Sequence, residues 1–184
     1  MKTISFLSIL LSTLFFYSCT NLPGFNIEEE KSLTQFADGI IDFSSEYSAA
    51  PGPWSTFVVL GAPDTYPDYG DKLTAWASKT ADGQDEFLTL AFDTAQYVNN
   101  VSIYETFNPG AVTGVSVRNT DNGSWVPVYT GAAERRVPRM ARIKEISFPK
   151  TSFLVDAVKI NIASRQVSGW NEIDAVSISG FYKD

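Results

Sequence analysis

The chain has 184 residues, 21 acidic side chains against 14 basic ones, a formal charge of −7 and not one histidine. The acidity argues against a nucleic-acid partner, because phosphate repulsion opposes binding. The missing imidazole removes Ser-His-Asp and Cys-His nucleophile systems, zinc-hydrolase ligand sets and the commonest general base.

Residues 1–18 read as a signal peptide. Lys2 supplies a short positive start, and the run ISFLSILLSTLFFY is apolar but too short to favour a membrane-spanning helix. Small Ser18 then stands directly before Cys19, the only cysteine. That arrangement resembles the bacterial lipoprotein signal, in which the cysteine is lipidated and becomes the new N-terminus. An ordinary secretory signal with an incidental thiol and an uncleaved anchor are the alternatives. With lipid on Cys19 the protein is expected to sit on a membrane of the bacterial cell envelope, the outer membrane above all. Several acyl chains, at about 0.8 kcal/mol per buried methylene, anchor it stably. Nothing after Cys19 has the length and apolarity of a spanning helix, and no second thiol is left for a disulfide. The core has to hold the fold.

Residues 19–38 read as the lipidated N-terminus and an acidic linker. Pro23 and Gly24 break structure, and Glu28, Glu29 and Glu30 repel one another. A single domain is expected over 39–184, long enough to bury a sizeable core.

From residue 39 the pattern turns to β. In 86–93, Leu88, Leu90 and Phe92 share one face. Similar alternation recurs at 98–105, 112–119, 124–130, 144–149, 155–163 and 173–182, with turn clusters such as Asn108-Pro109-Gly110 and Asp121-Asn122-Gly123 between. Three of these strands begin alike: Val98-Val101-Ile103, Val155-Val158-Ile160 and Ile173-Val176-Ile178 each place apolar residues at i, i+3 and i+5. Many short strands with regular punctuation predict an antiparallel sandwich or barrel.

The blocks SSEYS, LGAPDTYPDYGD and AWAS, then VNNVSIYETFNPGAVTGVSV, then VSGWNEIDAVSISG, taken in that order, resemble the galactose-binding-like superfamily of discoidin domains and carbohydrate-binding modules. Within it they are most similar to the scarf-type domain named after pappalysin. The resemblance implies an all-β, antiparallel jelly-roll β-sandwich of about eight strands. It also implies a structural calcium where an early loop meets the last strand. Carried onto this chain, the ligands are Asp64, Asp68 and Asp71 of the loop 61–71, with Glu172 from the C-terminal strand. Calcium takes six to eight hard oxygen ligands, so these carboxylates are chemically suitable. As turn residues, the same aspartates can equally bond nearby backbone amides.

The resemblance implies that ligands meet loops at one end of the sandwich or one concave face. The candidate loops 47–55, 64–71, 105–110 and 165–170 carry Tyr47, Trp54, Tyr66, Tyr69, Glu105, Asn108, Arg165 and Trp170. Aromatic rings can stack on sugar C–H faces while the polar groups bond hydroxyls. The alternative for Trp54 and Trp170 is to cap the core, and Trp76 is expected there. Glu105 is also a candidate for ordering the Asn108-Pro109-Gly110 turn. A glycoside hydrolase built on Glu105 with Asp64 or Glu172 needs two carboxyls ~5–9.5 Å apart in a cleft, and a non-catalytic role is expected instead. The basic run with Arg135, Arg136, Arg139, Arg142 and Lys144 reads as a solvated face or as a contact for an anionic partner. The expected function is a lipid-anchored envelope protein that binds glycan. The alternative is a protein-interaction or structural module of an envelope assembly.

Overall fold

The computed structural model describes residues 29–183, so the signal peptide and Cys19 lie outside the described residues. Eight strands follow one another: β1 (Lys31–Phe36), β2 (Gly39–Phe43), β3 (Glu86–Phe107), β4 (Val112–Asn119), β5 (Trp125–Thr130), β6 (Arg142–Ser147), β7 (Val155–Ile162) and β8 (Glu172–Tyr182). Every pairing is antiparallel. Two short 3-10 turns, Thr56–Val59 and Ser164–Gln166, interrupt the loops. No described helix is long and apolar enough to cross a membrane.

The expected strands at 86–93 and 98–105 are one strand of 22 residues. Its first half pairs with β2 and β7, its second half with β8 and β6. One layer therefore runs β1-β8-β3-β6 and the other β2-β3-β7-β4-β5, with β3 common to both. The change of layer comes between Ala91 and Gln96, where the register with β7 breaks. Leu88, Leu90 and Phe92 face the core before the crossing, and Val98, Val101 and Ile103 face it afterwards.

The i, i+3, i+5 spacing has a structural cause. Strand side chains alternate with period two, so a step of three keeps the same face only where an extra residue bulges out. The registers show it each time. Asn99 is extra between Val98↔Gly180 and Asn100↔Ser179, and Asp174 between Glu105↔Ile173 and Tyr104↔Ala175. In β7 the step of three from Val155 to Val158 faces a step of only two in β4, Asn119 to Val117. All nine apolar residues of the three motifs are buried.

β1 corrects the linker expected over 19–38, because Lys31–Phe36 pairs along β8 from Tyr182 to Ser177. The acidic run beside it masks a segment whose Gln35 has a structural task. The Gln35 side chain donates to the Thr94 carbonyl (2.6 Å) and to Gln96 Oε1 (3.0 Å), and accepts from the Thr94 amide (3.1 Å). These bonds satisfy backbone groups that β3 leaves open where it changes layer. Beyond it, Gly180 lets β8 approach β3, since a Cβ there would overlap the Tyr97 carbonyl.

Both ends of β3 return to the same end of the sandwich. Glu86 pairs with Ile162 at the end of β7, and Phe107 with Glu172 at the start of β8. The loops 44–85, 108–111, 131–141 and 163–171 consequently gather at that end.

Candidate ligand-binding site

The loop 61–77 is fastened to the start of β8 by three successive contacts. The Asp174 carboxylate, aimed off the strand by the bulge, accepts the backbone amides of Asp64 (3.3 Å), Thr65 (3.2 Å) and Tyr66 (2.8 Å). Glu172 Oε2 accepts the Lys72 amide at 3.1 Å. Trp76 and Ile173 exchange backbone hydrogen bonds of 2.8 and 3.1 Å, and the Trp76 ring lies in the core as expected. The anticipated junction between the early loop and the last strand is thus present. Its central group, Asp174, escaped the sequence reading. Burial pushes the Asp174 carboxyl above the ordinary aspartate range although three amides oppose the shift.

A second loop, 46–56, packs beside the first. Glu46 closes it by accepting the amides of Ala50 (3.1 Å) and Thr56 (2.8 Å). Trp54 has φ 54°, a left-handed conformation rare for a bulky residue. It is held there by its amide on the Leu73 carbonyl (3.0 Å), its carbonyl on the Ala77 amide (3.2 Å) and its indole N–H on Asp71 Oδ1 (2.9 Å). Such conformations cost about 1–3 kcal/mol and persist where the surroundings over-determine them.

Between these loops and the β7–β8 loop lies a cavity of about 80 Å³ lined by Tyr47, Trp54, Asp71, Ala77, Trp170 and Glu172. The Tyr47 ring meets Trp54 at 5.3 Å and Trp170 at 5.9 Å, both edge-to-face. The Trp170 indole N–H donates to the Ser78 carbonyl at 3.1 Å. Trp170 is half-buried and forms part of the wall, while Tyr47 is 51% exposed. At the floor Glu172, only 1% exposed, lies beside Asp71. Burial, joined by the neighbouring Asp71 carboxylate, pushes the Glu172 carboxyl up to about 8, with the Lys72 amide opposing.

Five of the expected site residues therefore converge: Tyr47, Trp54, Trp170, Asp71 and Glu172. The four-carboxylate calcium site does not. The Asp64 amide is bound to Asp174 and its side chain is exposed, as is Asp68. Among the described residues no group of three or more His, Cys, Asp or Glu is placed to hold a metal. Of the expected calcium ligands, Asp71 and Glu172 line one cavity, and Asp64 and Asp68 lie outside it. The loop turns its 64–66 amides onto Asp174, which leaves the Asp64 and Asp68 side chains exposed.

The remaining candidates fall elsewhere. Tyr66 packs edge-to-face on Tyr104 at 5.4 Å, and Tyr69 lies on Phe107 at 5.6 Å. Asn108 donates to the Trp170 carbonyl at 3.0 Å and so braces the aromatic cavity from behind. Arg165 does not join it, because its guanidinium pairs with exposed Asp85 at 3.2 Å. Glu105 is not a ligand contact either. It is buried, with Oε1 on the Gly110 amide and Oε2 on Arg142 Nε, both at 2.7 Å. It orders the turn, as its alternative reading had it.

The basic run divides as well. Arg142 and Lys144 both bond Glu134, at 2.7 and 2.5 Å, which holds the Glu134 carboxyl down to about 2. Arg135 and Arg139 instead line a wider cavity of about 320 Å³ with Tyr69, Asn108, Gln166 and Ser168.

The family model of the pappalysin-1 SD scarf domain, C-terminal, matches residues 26–184. Bos taurus F-box/LRR-repeat protein 4 is 23% identical over 182 residues, covering 80% of this chain and 28% of that protein. The chain thus spans little more than a quarter of that curated relative. Among solved structures, reduced XRCC1 bound to the DNA polymerase β catalytic domain superposes with a TM-score of 0.60 at 13% identity, over 80% of this chain and 99% of that one. Chitosan-binding module 1 of a chitosanase/glucanase from Paenibacillus sp. IK-5 gives 0.51 at 16%, over 79% and 96%. At these identities the likeness establishes the fold, a galactose-binding-like β-sandwich.

Proposed function

Because the chain belongs to the family of the pappalysin-1 SD scarf domain, C-terminal, we propose that it is a non-catalytic binding module whose aromatic cavity takes part of a glycan. One observation carries this reading. Tyr47, Trp54 and Trp170 form a preorganised aromatic wall at the loop end, with polar groups beneath it. Sites of this composition, apolar walls with a few convergent polar groups, are the usual form of small-ligand pockets. The chitosan-binding module supports the reading as a relative of the same fold that binds a sugar polymer.

Catalysis finds little support in the carboxylates. Asp71 and Glu172 share one small cavity, whereas glycoside hydrolysis needs two carboxyls about 5 Å or more apart across a cleft that holds the sugar. Glu105, the other candidate, is held by an arginine and a turn amide.

The module is displayed on a bacterial envelope membrane through lipid on Cys19. Labelled palmitate incorporated by the full chain and lost in Cys19→Ala is the expected result. Equal labelling of both overturns the anchor.

A glycan array probed with the full chain tests the binding reading. Trp170→Ala should weaken every positive signal at least tenfold, about 1.4 kcal/mol, while Tyr69→Ala, outside the cavity, leaves it unchanged. A second reading, a protein-docking module, draws on Phe57 and Leu73, both more than half exposed on the loops around Tyr47. Silence on all glycans, with a protein crosslinked specifically through Phe57 or Leu73, favours that alternative.

A further inference from the structure

The aromatic cavity is too small for a sugar ring. Its 80 Å³ compares with about 150 Å³ for a cavity that holds a benzene ring, so it admits a single substituent. On a glycan that substituent is a hydroxymethyl, an acetamido or an amine. The lining discriminates among them.

Both indole N–H groups are already engaged, Trp54 on Asp71 and Trp170 on the Ser78 carbonyl, and the Lys72 amide is on Glu172. Apart from the Tyr47 hydroxyl, the cavity offers the incoming group π faces and the remaining oxygens of two carboxyls. An acetamido carbonyl needs a donor, and a hydroxyl is best served by both kinds of partner. A protonated amine carries three donors and no acceptor. Aromatic rings attract cations through their negative faces, most of all where water is excluded. Asp71 and Glu172 add two carboxyls against each other, one of them almost wholly buried. An ammonium entering the cavity meets both carboxyls and the ring faces at once.

From this arrangement we infer that the pocket of Tyr47, Trp54, Trp170, Asp71 and Glu172 selects the free, protonated amine of an amino sugar. The inference rests on the glycan-binding reading and specifies its ligand class. The left-handed Trp54 fits the same purpose, as strain is retained where it positions a binding group.

The test compares three oligosaccharides of equal length near neutral pH, with tryptophan fluorescence and calorimetry on the full chain. They are a β-1,4 glucosamine tetramer, its fully N-acetylated form and the neutral glucose tetramer. The glucosamine tetramer should bind saturably, with the other two at least tenfold weaker. Asp71→Asn and Glu172→Gln, each checked for a cooperative unfolding transition, should each reduce that preference at least fivefold. Equal binding of all three tetramers overturns the amine inference and leaves the glycan reading standing. Preference retained in both folded variants overturns it too. Silence with all three tetramers and with a wider glycan array overturns the glycan reading, and the inference falls with it. Calcium binding at these carboxyls, with the amine tetramer ignored, also overturns the inference.

Discussion

Glu172→Gln should make the protein more stable at alkaline pH and flatten the dependence of its stability on pH. The folded carboxyl sits at about 8, against an ordinary value of 4.5. Below about pH 4.5 the group is protonated in both folded and unfolded chains and contributes its full share. As pH rises towards 8 the unfolded chain ionises first, and stability drains away until the folded carboxyl ionises as well. The wild-type protein loses on the order of 5 kcal/mol across that window from this group. Glutamine keeps the shape, can still accept the Lys72 amide and can donate to Asp71, without a buried charge. Urea unfolding of both proteins from pH 4 to pH 9, without ligand, reads the effect. Parallel curves, or a variant weaker at every pH, would show that Glu172 is not a buried acid under strain. The same variant is expected to lose amine preference, so stability and binding should move in opposite directions.

Asp174→Ala should destabilise the protein by about 3 kcal/mol at neutral pH and release the loop 61–71. Three amides converge on this one carboxylate, and Thr65 is buried along with it. Removing the acceptor strands donors at about 1–3 kcal/mol for each that water cannot reach. Exposed Asp64 can find water, so the total falls short of three full penalties. Asp174→Asn should cost less, because one carbonyl oxygen remains. Amide hydrogen exchange at 64–66 supplies the local readout and should accelerate well beyond the change elsewhere. A loss under 0.5 kcal/mol, with exchange unchanged, would mean the amides have other partners. Asp71 follows on the same loop, so ligand binding should weaken in step.

The fold was legible because its signals are local. Alternation around Leu88, Leu90 and Phe92 identifies a strand from eight residues, and the i, i+3, i+5 steps even carried the bulges. The length of β3 was not legible, since Asp93 to Ala95 interrupt the apolar pattern where the strand changes layer. β1 hid behind its acidic neighbours because its pairing partner lies at the other end of the chain. Within the site, residue type could be read but company could not. Tyr47, Trp54, Asp71, Trp170 and Glu172 were each visible as candidates, whereas the partners that removed Glu105 and Arg165 from the set, Arg142 and Asp85, are distant in sequence. Asp174 did leave a signal: an acidic residue inside the apolar run Ile173 to Ile178 needs a buried partner.

The strand shared by both layers governs how the molecule can come apart. Since β3 supplies a central partner to β7 in one layer and to β8 in the other, neither layer can melt alone without stripping half of its own strand. The two should behave as one cooperative unit. The slowest-exchanging amides of β7 and β8 are then governed by the same global opening event. Loops at the binding end are free to open below that threshold, so the recognition surface can adapt while the scaffold stays closed.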